Sequence, residues 1–120
     1  MDRKQLGALG EKLAADLLKK RGYRILERNY RCREGEIDIV ARQGDCLVFV
    51  EVRTKTGGGF GSPEESVTAA KKGKLVTAAL SYLQGHRGPP ADWRIDMVAV
   101  ELGPGGRPLR IEVIESAVEG

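Results

Sequence analysis

Three observations predict an α/β protein, a mixed β-sheet flanked by helices. Leucines recur at helical spacing near the N-terminus, at Leu6, Leu9, Leu13 and Leu17. An unbroken apolar run, Cys46 to Val50, then enters a strand long enough to be buried on both faces. A second helical stretch separates that strand from two further β-type segments, Arg94 to Glu101 and Leu109 to Ile114. The order is α-β-β-β-α-β-β, a sheet with helices packed on it.

The first helix is expected from about Lys4 to Arg21. Its leucines make one stripe, and Gly7, Gly10 and Ala14 beside it let the helix lie close to a sheet. Gly22 follows the basic last turn Lys19-Lys20-Arg21 as the C-terminal cap. Tyr23 to Leu26 reads as a short strand, and Glu27 to Gly35 (ERNYRCREG) as a polar connection. Glu36 to Ala41 and Cys46 to about Thr54 form a β-hairpin around Arg42-Gln43-Gly44-Asp45. The glycines of Thr56 to Gly61 make a flexible flap, and the spacing matches no phosphate-binding glycine loop. Ser62-Pro63-Glu64-Glu65 has capping-box form, and Thr68 is a second possible cap, so the long helix begins at one or the other. It runs to about Leu83 with Leu75, Ala78, Ala79, Tyr82 and Leu83 turned to the core. A loop from Gly85 to Pro90 and the turn Gly103 to Pro108 (GPGGRP) complete the chain, with no internal repeat and no linker.

At 120 residues the expectation is one domain, spanning 1–120. An apolar fraction of 41% and a charged fraction of 31% suit a globular fold, and apolar residues spread over several segments argue against disorder. The N-terminus lacks an apolar core of signal-peptide length, and no run approaches a membrane span, so a cytoplasmic protein is expected. Cys32 and Cys46 form no CxxC pair and have only His86 as a histidine companion; free thiols are expected, with neither a zinc site nor a disulfide framework.

Net charge is only +3, but it is unevenly spread. Between Lys19 and Arg33 lie seven basic residues (Lys19, Lys20, Arg21, Arg24, Arg28, Arg31, Arg33) against the single acid Glu27. Lys71, Lys72 and Lys74 make a second cluster at a helix start, and Glu112, Glu115 and Glu119 gather at the C-terminus. Such basic clusters suit a polyanion, with nucleic acid the first candidate and a solvated charged surface the plain alternative.

The segment FVEVRTK poses the sharpest question: Glu51, Arg53 and Lys55 share one face of a strand that begins in the core. A loop of two or four residues in the preceding hairpin would set position 38 opposite position 49, leaving Asp38 and Glu51 on one face and diagonal to each other. Two carboxylates so placed can hold a cation. Cleaving a phosphodiester requires overcoming repulsion between an anionic nucleophile and an anionic phosphate, and Mg²⁺ (or Mn²⁺) neutralises that charge. Mg²⁺ takes oxygen ligands and keeps several waters, so two carboxylates suffice. A cation two residues past the glutamate can stabilise the phosphate, which gives Asp38 and Glu51 as metal ligands and Arg53 as their partner by type and spacing. The alternative is structural: Glu51 ion-paired with Arg53 or Lys55, and Asp38 bonded to backbone amides. Glu36 faces the same way, as a further ligand or a charge at the sheet edge. Asp96 begins a strand and pairs with Arg94 or caps a loop.

Several of these motifs together resemble the YraN family of small bacterial proteins, which are predicted endonucleases. They are Gly10-Glu11 in the first helix, Arg28-Asn29-Tyr30, Gly35-Glu36-Ile37-Asp38 and Phe49-Val50-Glu51-Val52, in that order. That family is similar to the restriction-endonuclease-like superfamily with its PD-(D/E)xK site, which includes archaeal Holliday-junction resolvases. The resemblance implies a restriction-endonuclease-like core, with Glu11, Asp38 and Glu51 as the acidic site residues. Its lysine position falls on Arg53, which stays protonated and cannot act as a general base. Lys55, on the same face, is the candidate for the missing ammonium.

The expected function is metal-dependent cleavage of DNA phosphodiesters, in branched or repair intermediates. Arg24, Arg28, Arg31, Lys71, Lys72 and Lys74 would follow the DNA backbone. A homodimer would suit cutting both strands of a symmetric junction, though no residue marks one. The rivals are a non-catalytic DNA-binding module that retains the fold, which Arg53 favours, and a protein-interaction adaptor.

Overall fold

A computed structural model describes residues 1–57, 61–86 and 92–118. The glycine flap falls largely at 58–60 and the loop after the second helix at 87–91, both outside the described residues.

Helix α1 (Arg3–Lys20) starts at a reciprocal cap in which Asp2 and Gln5 exchange backbone-to-side-chain hydrogen bonds of 2.8 and 2.9 Å. It ends where expected, with Gly22 at φ 86. Its contact line, however, is Gly10, Ala14, Ala15 and Leu18; Leu6, Leu9, Leu13 and Leu17 are only partly buried at its flank. The reason lies in the close approach at Gly10, where a Cβ would stand 1.9 Å from Thr54 Oγ1. Small residues therefore form the seam, and the leucines wedge beside it.

Five strands make one sheet in sequence order: β1 (Arg24–Cys32), β2 (Gly35–Gln43), β3 (Cys46–Thr56), β4 (Asp92–Leu102) and β5 (Pro108–Val118). Only the β3–β4 pairing is parallel, held from Cys46↔Asp92 to Thr56↔Leu102; the others are antiparallel. Helix α2 (Ala69–Gly85) makes the crossover between them and packs on the opposite face from α1. One core joins α1 to Ile39, Ala41, Val48, Val50, Val98 and Val100. The other joins Leu75, Ala78, Ala79 and Tyr82 of α2 to Val40, Leu47, Phe49 and Ile95. The expected mixed sheet flanked by helices, in α-β-β-β-α-β-β order, is thus the observed one.

Three expectations need correction. Strand β1 does not stop at Leu26 but continues through the supposed polar connection to Cys32, pairing Arg28↔Ile39 and Tyr30↔Ile37. It is an edge strand with most of its side chains in solvent, and only a few such as Tyr30 and Cys32 turn inward, so its polar composition hid it. The hairpin register also differs. Its turn is Gly44-Asp45, with Gly44 at φ 58, because Arg42 and Gln43 still pair with Leu47 and Cys46. Val40 therefore faces Phe49 and Ile39 faces Val50, which brings position 38 level with Glu51 rather than with position 49. Finally, α2 begins at Thr68, whose Oγ1 accepts the Lys71 amide at 3.1 Å. Ser62–Glu65 forms no capping box: Ser62 Oγ donates to Glu65 Oε1 at 3.0 Å, and only a single 3₁₀ turn, Glu64–Ser66, follows with no side-chain cap, because Val67 turns extended and buries its side chain.

Both cysteines are free thiols. Among the described residues, no helix is long and apolar enough to cross a membrane.

Candidate functional site

Pairing between β2 and β3 runs from the turn as far as Ile39↔Val50 and then ends, although both strands continue. The alternation of β2 breaks at the same point. Ile37 belongs to the α2 core and Ile39 to the α1 core, although residues two apart on a regular strand share a face. In β1, Asn29, between the pairs Arg28↔Ile39 and Tyr30↔Ile37, takes φ 55. The ladder hydrogen bond that the strands give up is replaced by a side chain: Val52 N donates to Asp38 Oδ2 at 2.8 Å.

Beside this parting sits Glu51, only 4% exposed and hydrogen-bonded to Asp38. Burial, then the hydrogen bond and the charge of Asp38, push its pKa up to about 8 against the opposing pull of Lys71 and Arg53. Glu51 therefore keeps its proton at neutral pH. Lys71 Nζ from α2 and Arg53 Nε from β3 both stand 3.5 Å from Glu51 Oε2. Arg53 Nε is buried and has no hydrogen-bond partner among the described residues. Glu11, on the α1 side, lies within electrostatic reach: its pKa is raised by burial and then by Asp38, with Arg28 pulling the other way. The parted strands thus let groups from both faces of the sheet address one acid pair.

The sequence-derived residues distribute as follows. Asp38, Glu51 and Arg53 come together, with Glu11 nearby. Lys55 is turned elsewhere, its Nζ donating to Gly61 O in the segment that leads into the 3₁₀ turn. Lys71 takes the place beside Glu51 instead. Its signal was present in the sequence, since Lys71 precedes Leu75 by four residues and shares the sheet-facing side of α2. Arg31, Lys71 and Lys74 line one cleft of about 430 Å³ with Arg33, Glu34, Gly35, Glu36 and Cys32. Arg24 is seven residues from Arg31 along β1, roughly 23 Å, and Lys72 is exposed without lining that cleft. Glu36 pairs with Arg31 at 3.4 Å.

A second polar cluster serves the fold. Asp96, fully buried, accepts from Tyr23 Oη (3.0 Å), Arg94 (2.9 and 3.1 Å) and Ser116 N (2.9 Å). Burial and then Asp96 raise the Tyr23 hydroxyl to about 12. The expected pairing with Arg94 is made, but the amide Asp96 holds is not a loop's: Ser116 lies within β5, where the register shifts and its φ is 51. His86 stacks on Tyr82 with ring centroids 3.7 Å apart, and its Nδ1 lies 2.7 Å from Tyr82 O.

Sheet, flanking helices and an acid pair at a strand parting define an α/β protein with a carboxylate cluster served by cations from both a strand and a helix. Comparison with known proteins places it further: the chain belongs to the uncharacterised protein family UPF0102, whose model matches residues 10–100. This is the family to which the motifs pointed. A UPF0102 protein of Moorella thermoacetica is 51% identical over 118 residues, covering 98% of both chains. One from Dehalococcoides mccartyi is 50% identical over 117 residues, covering 98% of this chain and 95% of that one.

Proposed function

We propose that the chain is a divalent-metal-dependent endonuclease that hydrolyses DNA phosphodiester bonds, with branched or repair intermediates as its substrate class. The observation that carries this reading is the Asp38–Glu51 pair. Two carboxyls are forced together where the strands part, one is pushed far above its ordinary pKa, and two cations converge on the same oxygen. A structural ion pair needs one carboxylate. Two that repel each other mark a place where a cation relieves the repulsion. The likeness of the motifs to the PD-(D/E)xK superfamily supports the same reading.

The donor set suits Mg²⁺ or Mn²⁺. Among the described residues no group of three or more histidines, cysteines or acids converges, but a hard cation that keeps several waters needs only two carboxylates. Held by Asp38 and Glu51, it would neutralise phosphate charge and acidify a water molecule. To serve as a ligand Glu51 would have to give up its proton, so cation affinity would rise with pH. Arg53, whose Nε lacks a hydrogen-bond partner among the described residues, donates to the phosphate; as an arginine it binds and orients but takes no proton. Lys71 supplies the second positive charge, the role assigned by sequence to Lys55. Glu11 adds negative field on the α1 side.

The test is calorimetric titration with Mn²⁺, which such sites bind more tightly than Mg²⁺. Binding to the wild-type protein that disappears in Asp38→Ala/Glu51→Ala is the expected result, together with cleavage of branched DNA lost in the same variant. The second reading, a DNA-binding module without chemistry, is favoured by Arg53 at the lysine position. It predicts salt-sensitive DNA binding that neither metal nor Asp38→Ala alters.

A further inference from the structure

The cleft beside the acid pair has walls from two elements. The β1–β2 hairpin contributes Arg31 from β1, Arg33 and Glu34 from its turn and Glu36 from β2, and the first turns of α2 contribute Lys71 and Lys74. Gly35 faces α2 across the cleft, where a Cβ would stand at ordinary contact distance, 3.7 Å, from Lys74 O. Four cations and two carboxylates leave a formal +2. Two of the cations are internally matched, Arg31 by Glu36 and Lys71 by Glu51. Arg33 and Lys74 have no ion pair and no side-chain hydrogen bond among the described residues. Both stand exposed at the mouth of a concave site. Lys71 borders both places, lining the cleft and reaching Glu51 at 3.5 Å.

We propose that this cleft binds the phosphate adjoining the one at the acid pair, with Arg33 and Lys74 as its ligands and Lys71 as the bridge between the two positions. The inference rests on the nuclease reading for what happens at Asp38 and Glu51, but the binding it describes needs no metal. Its ligand is the sugar-phosphate backbone of a single nucleic-acid strand. At about 430 Å³ the cleft is of the size that takes one small unit such as a single sugar-phosphate. Phosphate-binding side chains of this kind fix register on the strand without reading its sequence. The cleft therefore sets which bond is presented to the acid pair, and it does so from the β1–β2 side.

The experiment is fluorescence anisotropy with a labelled single-stranded oligonucleotide in EDTA, titrated at several salt concentrations. Arg33→Ala/Lys74→Ala is compared with Lys4→Ala/Arg107→Ala, which removes the same charge from exposed positions away from the cleft. The expected result is weaker binding in the first variant only, with its salt slope reduced by roughly 0.7, the value for one phosphate of a single strand that is no longer neutralised. Equal weakening in the two variants, no weakening in either, or no binding by the wild-type protein at low salt would each overturn the proposal. The two readings fail separately. Cleavage that requires Asp38 but ignores Arg33 and Lys74 would sink the cleft and keep the nuclease. Cleft-dependent binding with no cleavage and no Mn²⁺ site would do the reverse.

Discussion

Glu51 and Asp96 are both acids buried in one sheet, and their surroundings give them opposite tasks. Asp96 is surrounded by donors: Tyr23, Arg94 and the Ser116 amide account for both of its oxygens. Replacing it with alanine leaves the half-buried Arg94 with only a 3.8 Å pairing to the exposed Glu115 and its bonds to Tyr23 and Gln43, and a loss of about 3 kcal/mol in urea unfolding is expected. Glu51 faces another acid. Its pKa is raised in the fold, from 4.5 to about 8, so the native state holds a proton that the unfolded chain has released. Its contribution to stability is complete below pH 4.5 and is lost as pH rises through the window to about 8, with a slope approaching ~1.4 kcal/mol per pH unit. Metal-free protein should therefore lose stability across that window in urea titrations, and Glu51→Gln, neutral throughout, should flatten the loss. Added Mn²⁺ should flatten it too, by occupying the ionised pair.

At the scale of elements, the seat of α1 on β3 depends on Gly10. A methyl group there meets the branched side chain of Thr54, which belongs to a strand and has little room to move. Gly10→Ala should cost ~1–3 kcal/mol through overpacking. Thr54→Ala in the same chain should recover part of it, and a double-mutant cycle by chemical denaturation measures the coupling. The leucine stripe of α1 and the Leu75–Tyr82 face of α2 were legible in the sequence because periodicity survives whatever the helix packs against. The apolar run Cys46–Val50 announced β3 for the same reason. Strand β1 was not legible past Leu26, because an edge strand exposes most of its residues and Arg28, Asn29 and Arg31 read as a loop. The hairpin register was missed because Arg42 and Gln43 carry no apolar signal, yet pair. Same-face placement of Asp38 and Glu51 survived that error, since a shift of two residues preserves parity. The approach of Lys71 to Glu51 spans twenty positions of chain, and only the packing of α2 on the sheet determines it.

Across the whole molecule, Arg110 ties together segments far apart in sequence. From β5 it binds Glu64 through two hydrogen bonds, of 3.0 and 2.7 Å, and also reaches Glu101 and Glu112 at 3.0 Å. Those bonds hold Glu64 well below its ordinary pKa, at about 2. The sign is opposite to that of Glu51: the contribution is present above pH 4.5 and fades as pH falls toward 2. Arg110→Ala should make acid unfolding, followed by circular dichroism, less steep over that range. It should also loosen the 3₁₀ turn that Lys55 steadies through Gly61 at its other end. The sheet is thus held at its β4–β5 side by a charged knot and left open at its β2–β3 side.

That opening has a spectroscopic consequence. The Val52 amide is fastened to the Asp38 side chain, which lies against Glu51, rather than to the backbone of β2. Its nitrogen–proton resonance is a built-in gauge: deprotonation of Glu51, or arrival of a cation, changes the electric field at the oxygen it touches. One backbone signal, followed through a pH or metal titration, reads the electrical state of the site without any label.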